Sequence, residues 1–345
     1  MSSSRECANS PPHRRAIVQT RTLAGKYAHG VPTPWSRRGF LLALAAGSAA
    51  AAAACSSEPR PGAVADDGSV TVRHAFGETR VPAPPTRVVS AGLTGQDCLM
   101  AVGVIPVGVT EWFGGQPFAT WPWALPALGT AQLTVLNLDN GIDVEAIAAL
   151  NPDLIIATNA GLDRDTYDRL SDVAPTIAQS GPQAFFEPWK DQATTIGAAV
   201  FKHDEMTRLI NDVDTRFTTA GTANPQFKDK RALLLQGSLD GGDLVTTPPG
   251  WRTEFLTQLG FTLPDTDATV PRDRMAQVLS AADVLIWCAD DPEIAALTAD
   301  PIIAERGVRN VFTGRDLAAA IAFSSPLSLP AVAEQLPAML RPALA

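Results

Sequence analysis

The sequence predicts an α/β protein of two lobes, on three observations. Apolar runs of strand length alternate with amphipathic helical segments, and strands alternating with helices imply parallel sheets covered on both faces. The alternation stops at a long mid-chain helical stretch and then starts again. The 345 residues, 46% of them hydrophobic, are too many for one compact lobe at ~100–200 residues per domain. The expected boundaries are a leader at 1–54, a flexible linker at 55–69, an N-terminal lobe at 70–186, a connecting helical segment at 187–221 and a C-terminal lobe at 222–345.

Each element has its own signal. Val70-Thr71-Val72-Arg73-His74-Ala75-Phe76 alternates like a strand. Arg87–Ala91, Val104–Thr110 and Asp153–Thr158 read as buried strands, with a short helix over Gln96–Val102. Asp143 is placed to cap a helix whose apolar residues Val144, Ile147 and Leu150 repeat at helical spacing. Trp189, Ala193, Ile196, Val200, Met206, Ile210, Val213 and Phe217 step by three and four, with a gap at His203. One long helix satisfies this, as do two helices broken near Phe201-Lys202-His203, with Asp204 as N-cap of the second. Strands follow at Lys230–Gln236, Gly242–Thr247, Asp283–Cys288 and Asn310–Thr313, with helices at Trp251–Leu259, Gln277–Ala282 and Pro330–Leu340.

Charge is divided unevenly. Residues 1–54 hold seven of the 27 Lys and Arg and a single acid, Glu6, so the part from Cys55 onward carries a net charge of −15. A folded part that acidic repels phosphate backbones, which removes nucleic acid as a partner. Ser36-Arg37-Arg38-Gly39-Phe40-Leu41-Leu42 sets an arginine pair before an apolar run that ends at Ala54, shorter than the ~20 residues that span a bilayer as a helix. This resembles a twin-arginine export signal through Arg37 and Arg38. Ala52-Ala53-Ala54-Cys55 looks like a lipobox, with Cys55 as the acylated first residue of the mature protein. Ala52 stands where such boxes usually carry Leu, which leaves cleavage without lipidation open.

Groups that break bonds are scarce. Past the leader only His74, His203 and Tyr167 remain of their kinds, and no nucleophile elbow or phosphate loop exists. Cys98 and Cys288 lie far apart and read as small buried hydrophobes; a zinc or redox spacing is absent. Aromatic residues are the stronger signal. Glu111-Trp112-Phe113-Gly114-Gly115-Gln116-Pro117-Phe118-Ala119-Thr120-Trp121-Pro122-Trp123 has neither period and follows a strand, where α/β folds place ligands. Trp251-Arg252 follows the turn Pro248-Pro249-Gly250. Rings on loops suit a bulky, partly apolar ligand, and Arg252 offers a fork for an anionic oxygen cluster. The competing reading is that these rings pack the loop onto its own lobe.

Several stretches together resemble a known family. They are Val81-Pro82-Ala83-Pro84-Pro85-Thr86-Arg87-Val88-Val89-Ser90, Ala101–Val109, Asp143–Ile156, Val173-Ala174-Pro175-Thr176 and Ala282–Trp287. In this order, after a lipoprotein-type signal, they are similar to class III (cluster A) substrate-binding lipoproteins of ABC importers, the iron-siderophore and vitamin B12 group. The resemblance covers residues ~70–340. It implies two Rossmann-like three-layer lobes joined by one long helix, a ligand groove between them, and no catalysis or cofactor. The expected ligand is an Fe(III)-siderophore complex, not a metal bound directly by the protein. It would be held by Trp112, Phe113, Trp121, Trp123, Asn159, Trp251, Arg252 and Phe323. The expected partners are an ABC permease and its ATPase, met by a monomer anchored by lipid on the outer face of the cytoplasmic membrane. Docking to the permease would use one acid on each lobe. Glu145 fits in the first; in the second the matching position counted back from Asp283 is Met275, with Asp273 as a substitute two residues earlier. Haem, through Tyr167, His74 or His203, and cobalamin are alternative ligands, and a non-transport surface lipoprotein is an alternative class. Mass spectrometry of the membrane fraction is expected to find acyl mass on Cys55; an unmodified Cys55 there would refute the anchor.

Overall fold

The computed structural model describes residues 60–345 apart from 112, 113, 139 and 140. Arg37, Arg38, Cys55, Trp112 and Phe113 therefore lie outside the described residues. The described chain opens with a hairpin of β1 (Val70–His74) and β2 (Gly77–Val81), paired from Val70↔Val81 to His74↔Gly77. Its buried Val70, Val72 and Val81 alternate with exposed residues, as one covered face requires.

The first α/β half follows. In chain order it comprises β3 (Val88–Ser90), α1 (Gly95–Ala101), β4 (Gly108–Thr110), α2 (Leu125–Leu128), β5 (Thr134–Leu136), α3 (Val144–Ala149), β6 (Leu154–Ala157), α4 (Arg164–Val173) and β7 (Thr176–Ala178). The five strands are parallel in the order β5-β4-β3-β6-β7. The direction of progress reverses between β3 and β6, so a crevice opens at their carboxyl ends. Asp143 caps α3 as expected, its side chain accepting the Ala146 N–H at 2.9 Å.

The connector is two helices, α5 (Trp189–Ala199) and α6 (His203–Ala223). They part at Phe201, whose φ of +60° cannot continue a helix. Gly197 lets them meet: a Cβ there would lie 2.6 Å from Met206 Cβ. Asp204 does not cap α6. Lys202 occupies that position without a side-chain bond, and Asp204 falls in the first turn, where its charge still complements the helix dipole.

The second half comprises β8 (Ala232–Gln236), β9 (Leu244–Thr247), α7 (Glu254–Gln258), β10 (Thr269–Val270), α8 (Arg272–Ser280), β11 (Val284–Cys288), α9 (Asp291–Ala299), α10 (Pro301–Ala304), β12 (Asn310–Phe312), α11 (Arg315–Ala322) and α12 (Ser328–Leu340). Its sheet runs β10-β9-β8-β11-β12. Only β8, β11 and β12 are parallel; β9 is antiparallel to both neighbours, which corrects the wholly parallel sheet expected. Residues 237–243 are too few for a crossover, so β8 and β9 form a hairpin, turning at Gly241 and Gly242 with φ of +62° and +98°.

One apolar core runs through the whole arrangement. Val88, Leu154 and Ile156 of the first sheet, Ala193, Ile196, Val213 and Phe217 of the connector, and Leu234, Ile286 and Leu336 of the second half belong to a single buried cluster. A matched polar clamp marks both halves. Asp153, before β6, accepts the Arg87 N–H at 2.8 Å beside β3, together with the Thr86 N–H and hydroxyl at 2.8 Å. Asp283, before β11, accepts the Arg231 N–H at 2.8 Å beside β8. Partial burial would raise the Asp153 carboxyl, but these bonds outweigh it and hold it below its ordinary value. Asp153→Ala is expected to cost about 1–2 kcal/mol of stability at neutral pH. Because the folded carboxyl is the stronger acid, that difference is present above the usual aspartate range and fades as pH falls through it, which urea titrations from pH 7 to 3 would show.

Candidate functional site

At the crevice between β3 and β6 lies a pocket of about 330 Å³. Ala91, Gly92 and Leu93 after β3 and Asn159 to Leu162 after β6 form one side; Leu138, Gly141, Ile142, Thr166 and Phe185 also line it. Phe185 is 48% exposed and Leu138 39%, an unusual exposure for large apolar side chains facing one space. Gly161, at φ +64°, provides bare backbone for the Phe185 ring: a Cβ there would fall 2.1 Å from a ring carbon.

The pocket floor is tied to the connector by buried polar groups. Asn159, at φ +54°, donates through Nδ2 to Thr94 Oγ1 at 3.0 Å and accepts the Glu187 N–H on Oδ1 at 3.1 Å. Asn159 thus lines the pocket, but with both ends of its amide engaged it shapes the floor. Gln192 of α5 donates to Leu93 O at 3.2 Å and Thr158 Oγ1 at 2.9 Å, and its Oε1 lies 2.9 Å from the Thr94 hydroxyl. Glu187 is buried, and burial raises its carboxyl despite bonds from the Ser180 N–H and hydroxyl.

The loop after β4 does not present all its rings to solvent. Trp121 is only 3% exposed, which corrects its expected place on the groove surface. It stacks on Trp123 at 5.1 Å and 4° and meets Phe323 of the second half at 5.9 Å and 49°. Burying an indole between rings gains more than exposing it. Arg315 at the start of α11 lies 5.7 Å over the Trp121 ring and donates to Gly114 O. Trp123 and Phe323 remain half-buried. The Trp123 indole donates to Asp97 Oδ2 at 2.7 Å, and Ser325 of the second half donates to the same oxygen at 2.8 Å. Burial pushes the Asp97 carboxyl up to about 6, against the pull of those two bonds.

Trp251 and Arg252 are half-buried on the turn before α7. The Arg252 guanidinium lies 4.4 Å over Trp251 and 5.2 Å over Phe186, whose ring pairs with Phe185 at 6.4 Å. Burial lowers its pKa, and among the described residues its N–H groups meet no carboxylate or other acceptor. An aromatic-flanked cation from the other half thus lies over Phe186, whose neighbour Phe185 lines the apolar pocket.

The remaining candidates sit as follows. Glu145 and Asp273 are exposed, each the second residue of its helix, α3 and α8. Met275 is fully buried in the second half's core, whereas Asp273, two residues earlier, is exposed at the same helical position as Glu145. His74 of β1 and Tyr167 of α4 are buried against one another; the hydroxyl lies 3.4 Å from Nε2, and Thr79 of β2 bonds both. Burial, then the Arg164 charge, lowers the His74 pKa to about 4. His203 begins α6. Cys98 and Cys288 are free thiols, raised by burial, Cys288 to about 12. Sequence reasoning missed Asp97, Arg315 and Leu138. Only Asp97 left a trace, as a lone acid in the apolar run Cys98-Leu99-Met100 of α1.

A sequence model described as periplasmic binding protein matches residues 88–309. A crystal structure of a periplasmic solute binding protein from Mycobacterium smegmatis is 63% identical, with 81% of this chain and 100% of that one covered at a TM-score of 0.79. The probable siderophore-binding lipoprotein YfiY of Bacillus subtilis is 29% identical over 247 residues, 71% of this chain and 72% of its own. Streptococcus pneumoniae PiaA in complex with ferrichrome is 23% identical over 80% of this chain and 98% of its own, at a TM-score of 0.66, a likeness of fold.

Asp97 yields a prediction with a definite sign. Between pH 3.8 and about 6 the folded chain holds a proton that the unfolded chain has released, so Asp97 makes stability fall as pH rises through that window. Asp97→Asn is expected to flatten this fall and to be more stable than the parent above pH 6 by about 1–3 kcal/mol. Denaturant titrations of both proteins at pH 4 and pH 7.5 measure it.

Proposed function

Because the chain belongs to the periplasmic binding protein family, we propose that it captures a ferric siderophore in the groove between its halves, as a monomer, and delivers it to an ABC permease and its ATPase. The observation that carries this reading is the guanidinium of Arg252, without a carboxylate partner among the described residues, joined through Phe186 to Phe185 of an apolar pocket of about 330 Å³. A ferric siderophore is a bulky organic shell around an oxygen-ligated ion. Leu138, Ile142 and Phe185 suit the shell, and a guanidinium fork suits outward-facing oxygens. Iron is the cargo here, and the protein's own contribution is shape and charge. YfiY, a probable siderophore-binding lipoprotein, and PiaA, whose structure holds ferrichrome, support the same ligand class.

Glu145 and Asp273 are the proposed permease contacts, placed alike on the two halves; exposed rim charges of this kind mainly tune the rate and orientation of docking. Anchoring would come from lipid on Cys55 after export under Arg37 and Arg38, on the outer face of the membrane. Among the described residues no helix is long and apolar enough to cross a membrane. A haem reading has less support, since Tyr167 and His74 are buried against one another.

Tryptophan fluorescence titrations with ferric citrate, ferrichrome, a ferric catecholate, haem and cobalamin test the proposal. Saturable quenching by at least one ferric chelate is expected; response to haem or cobalamin alone would overturn it. Arg252→Gln should weaken the chelate that binds by about tenfold or more, the loss of one charge-assisted contact, with circular dichroism unchanged.

A further inference from the structure

The aromatic loop leaving β4 is gripped by the other half at two points. Near its start, Arg315 donates to Gly114 O and covers the Trp121 ring. Near its end, Trp123 Nε1 and Ser325 Oγ converge on Asp97 Oδ2 at 2.7 and 2.8 Å. Asp97 belongs to α1, Trp123 to the loop, and Ser325 to the turn into α12, where its oxygen also accepts the Ser328 N–H at 3.0 Å. One oxygen atom therefore joins a helix of the first half, the loop, and the second half.

The choice of residue needs explaining. Asp97 is 3% exposed, and among the described residues no cation pairs with it. A buried carboxylate without a counter-ion is unfavourable, and the apolar face of α1 has no packing use for one. What an aspartate does there is accept two donors at once. Without it the Trp123 N–H would be buried unbonded, as Trp121 Nε1 already is, and the loop would lose its attachment at that end.

We propose that Asp97 is a positioning residue for the groove: through Oδ2 it orients the Trp121–Trp123 stack and holds the loop against the second half. The effect on ligand affinity rests on the siderophore reading; the effect on the loop does not. The test uses the folded mature chain and three variants: Asp97→Leu removes the acceptor, Asp97→Asn keeps an oxygen in its place, and Trp123→Phe removes the donor while keeping a ring.

Two readouts are taken. Without ligand, the Trp123 indole N–H in NMR and hydrogen exchange across residues 114–123 report the attachment. With the ferric chelate that the parent protein binds, fluorescence gives affinity. Asp97→Leu should speed exchange of the loop amides at least tenfold and weaken binding about tenfold, the loss of one hydrogen bond to a charged group. Trp123→Phe should do the same, while Asp97→Asn stays within about threefold of the parent on both, because an amide oxygen accepts the same donors. Unchanged loop exchange in Asp97→Leu overturns the proposal, as does Asp97→Asn loosening the loop as much as Asp97→Leu. If Asp97→Leu does not fold, Trp123→Phe decides by the same criterion. Loosened loops in a protein that binds no ferric chelate would uphold the positioning role and overturn the ligand reading instead.

Discussion

The arrangement depends on an apolar core that does not stop at the boundary between the halves. Side chains beneath the first sheet, along α5 and α6, and beneath the second sheet share one buried cluster. Separating the halves would expose it, at roughly 25 cal/mol for each Å² of apolar surface. Lys190 reinforces the joint, reaching Asp214 of α6 at 2.9 Å and Glu254 of α7 at 3.1 Å. A joint of this kind holds the two halves at a settled spacing.

The side chains of the site are held rather than loose. Gln192 bonds the floor of the pocket to the connector, Asn159 and Thr94 keep positive φ values within that network, and the tryptophans of the loop lean on each other and on Phe323. Positive φ at a β-branched residue such as Thr94 persists only where its surroundings enforce it. A ligand entering a site prepared in this way orders little on arrival, which favours affinity without added contact area.

Much of this was legible in the chain. Strand and helix periods located the two sheets and Asp143 announced its helix, whereas the repeated clamp of Asp153 and Asp283 emerged only in the fold. The antiparallel β9 was not legible either, because its strand pattern is the same in either direction and only the seven residues before it decide. The site was half legible. Composition pointed to the aromatic loop and Arg252, but which ring is buried depends on a contact between Trp121 and Phe323, 202 positions apart. Asp97 stood out only as a lone acid in an apolar run; its partner could not be read, since Ser325 reaches it from a segment 228 residues away. Counting back from the strand reaches the buried Met275, whereas counting from the helix start reaches the exposed Asp273.

The clamp shared by Asp153 and Asp283 makes the halves variations on one plan whose contributions have diverged. The first half holds a pocket of backbone and hydrocarbon; the second holds a charge, Arg252 on a short turn over Phe186. Such a division separates two kinds of change. Substitutions in the Pro248–Thr253 turn can change the charge held over Phe186 while the pocket of the first half keeps its outline, so a lineage could alter one without the other by editing a handful of codons.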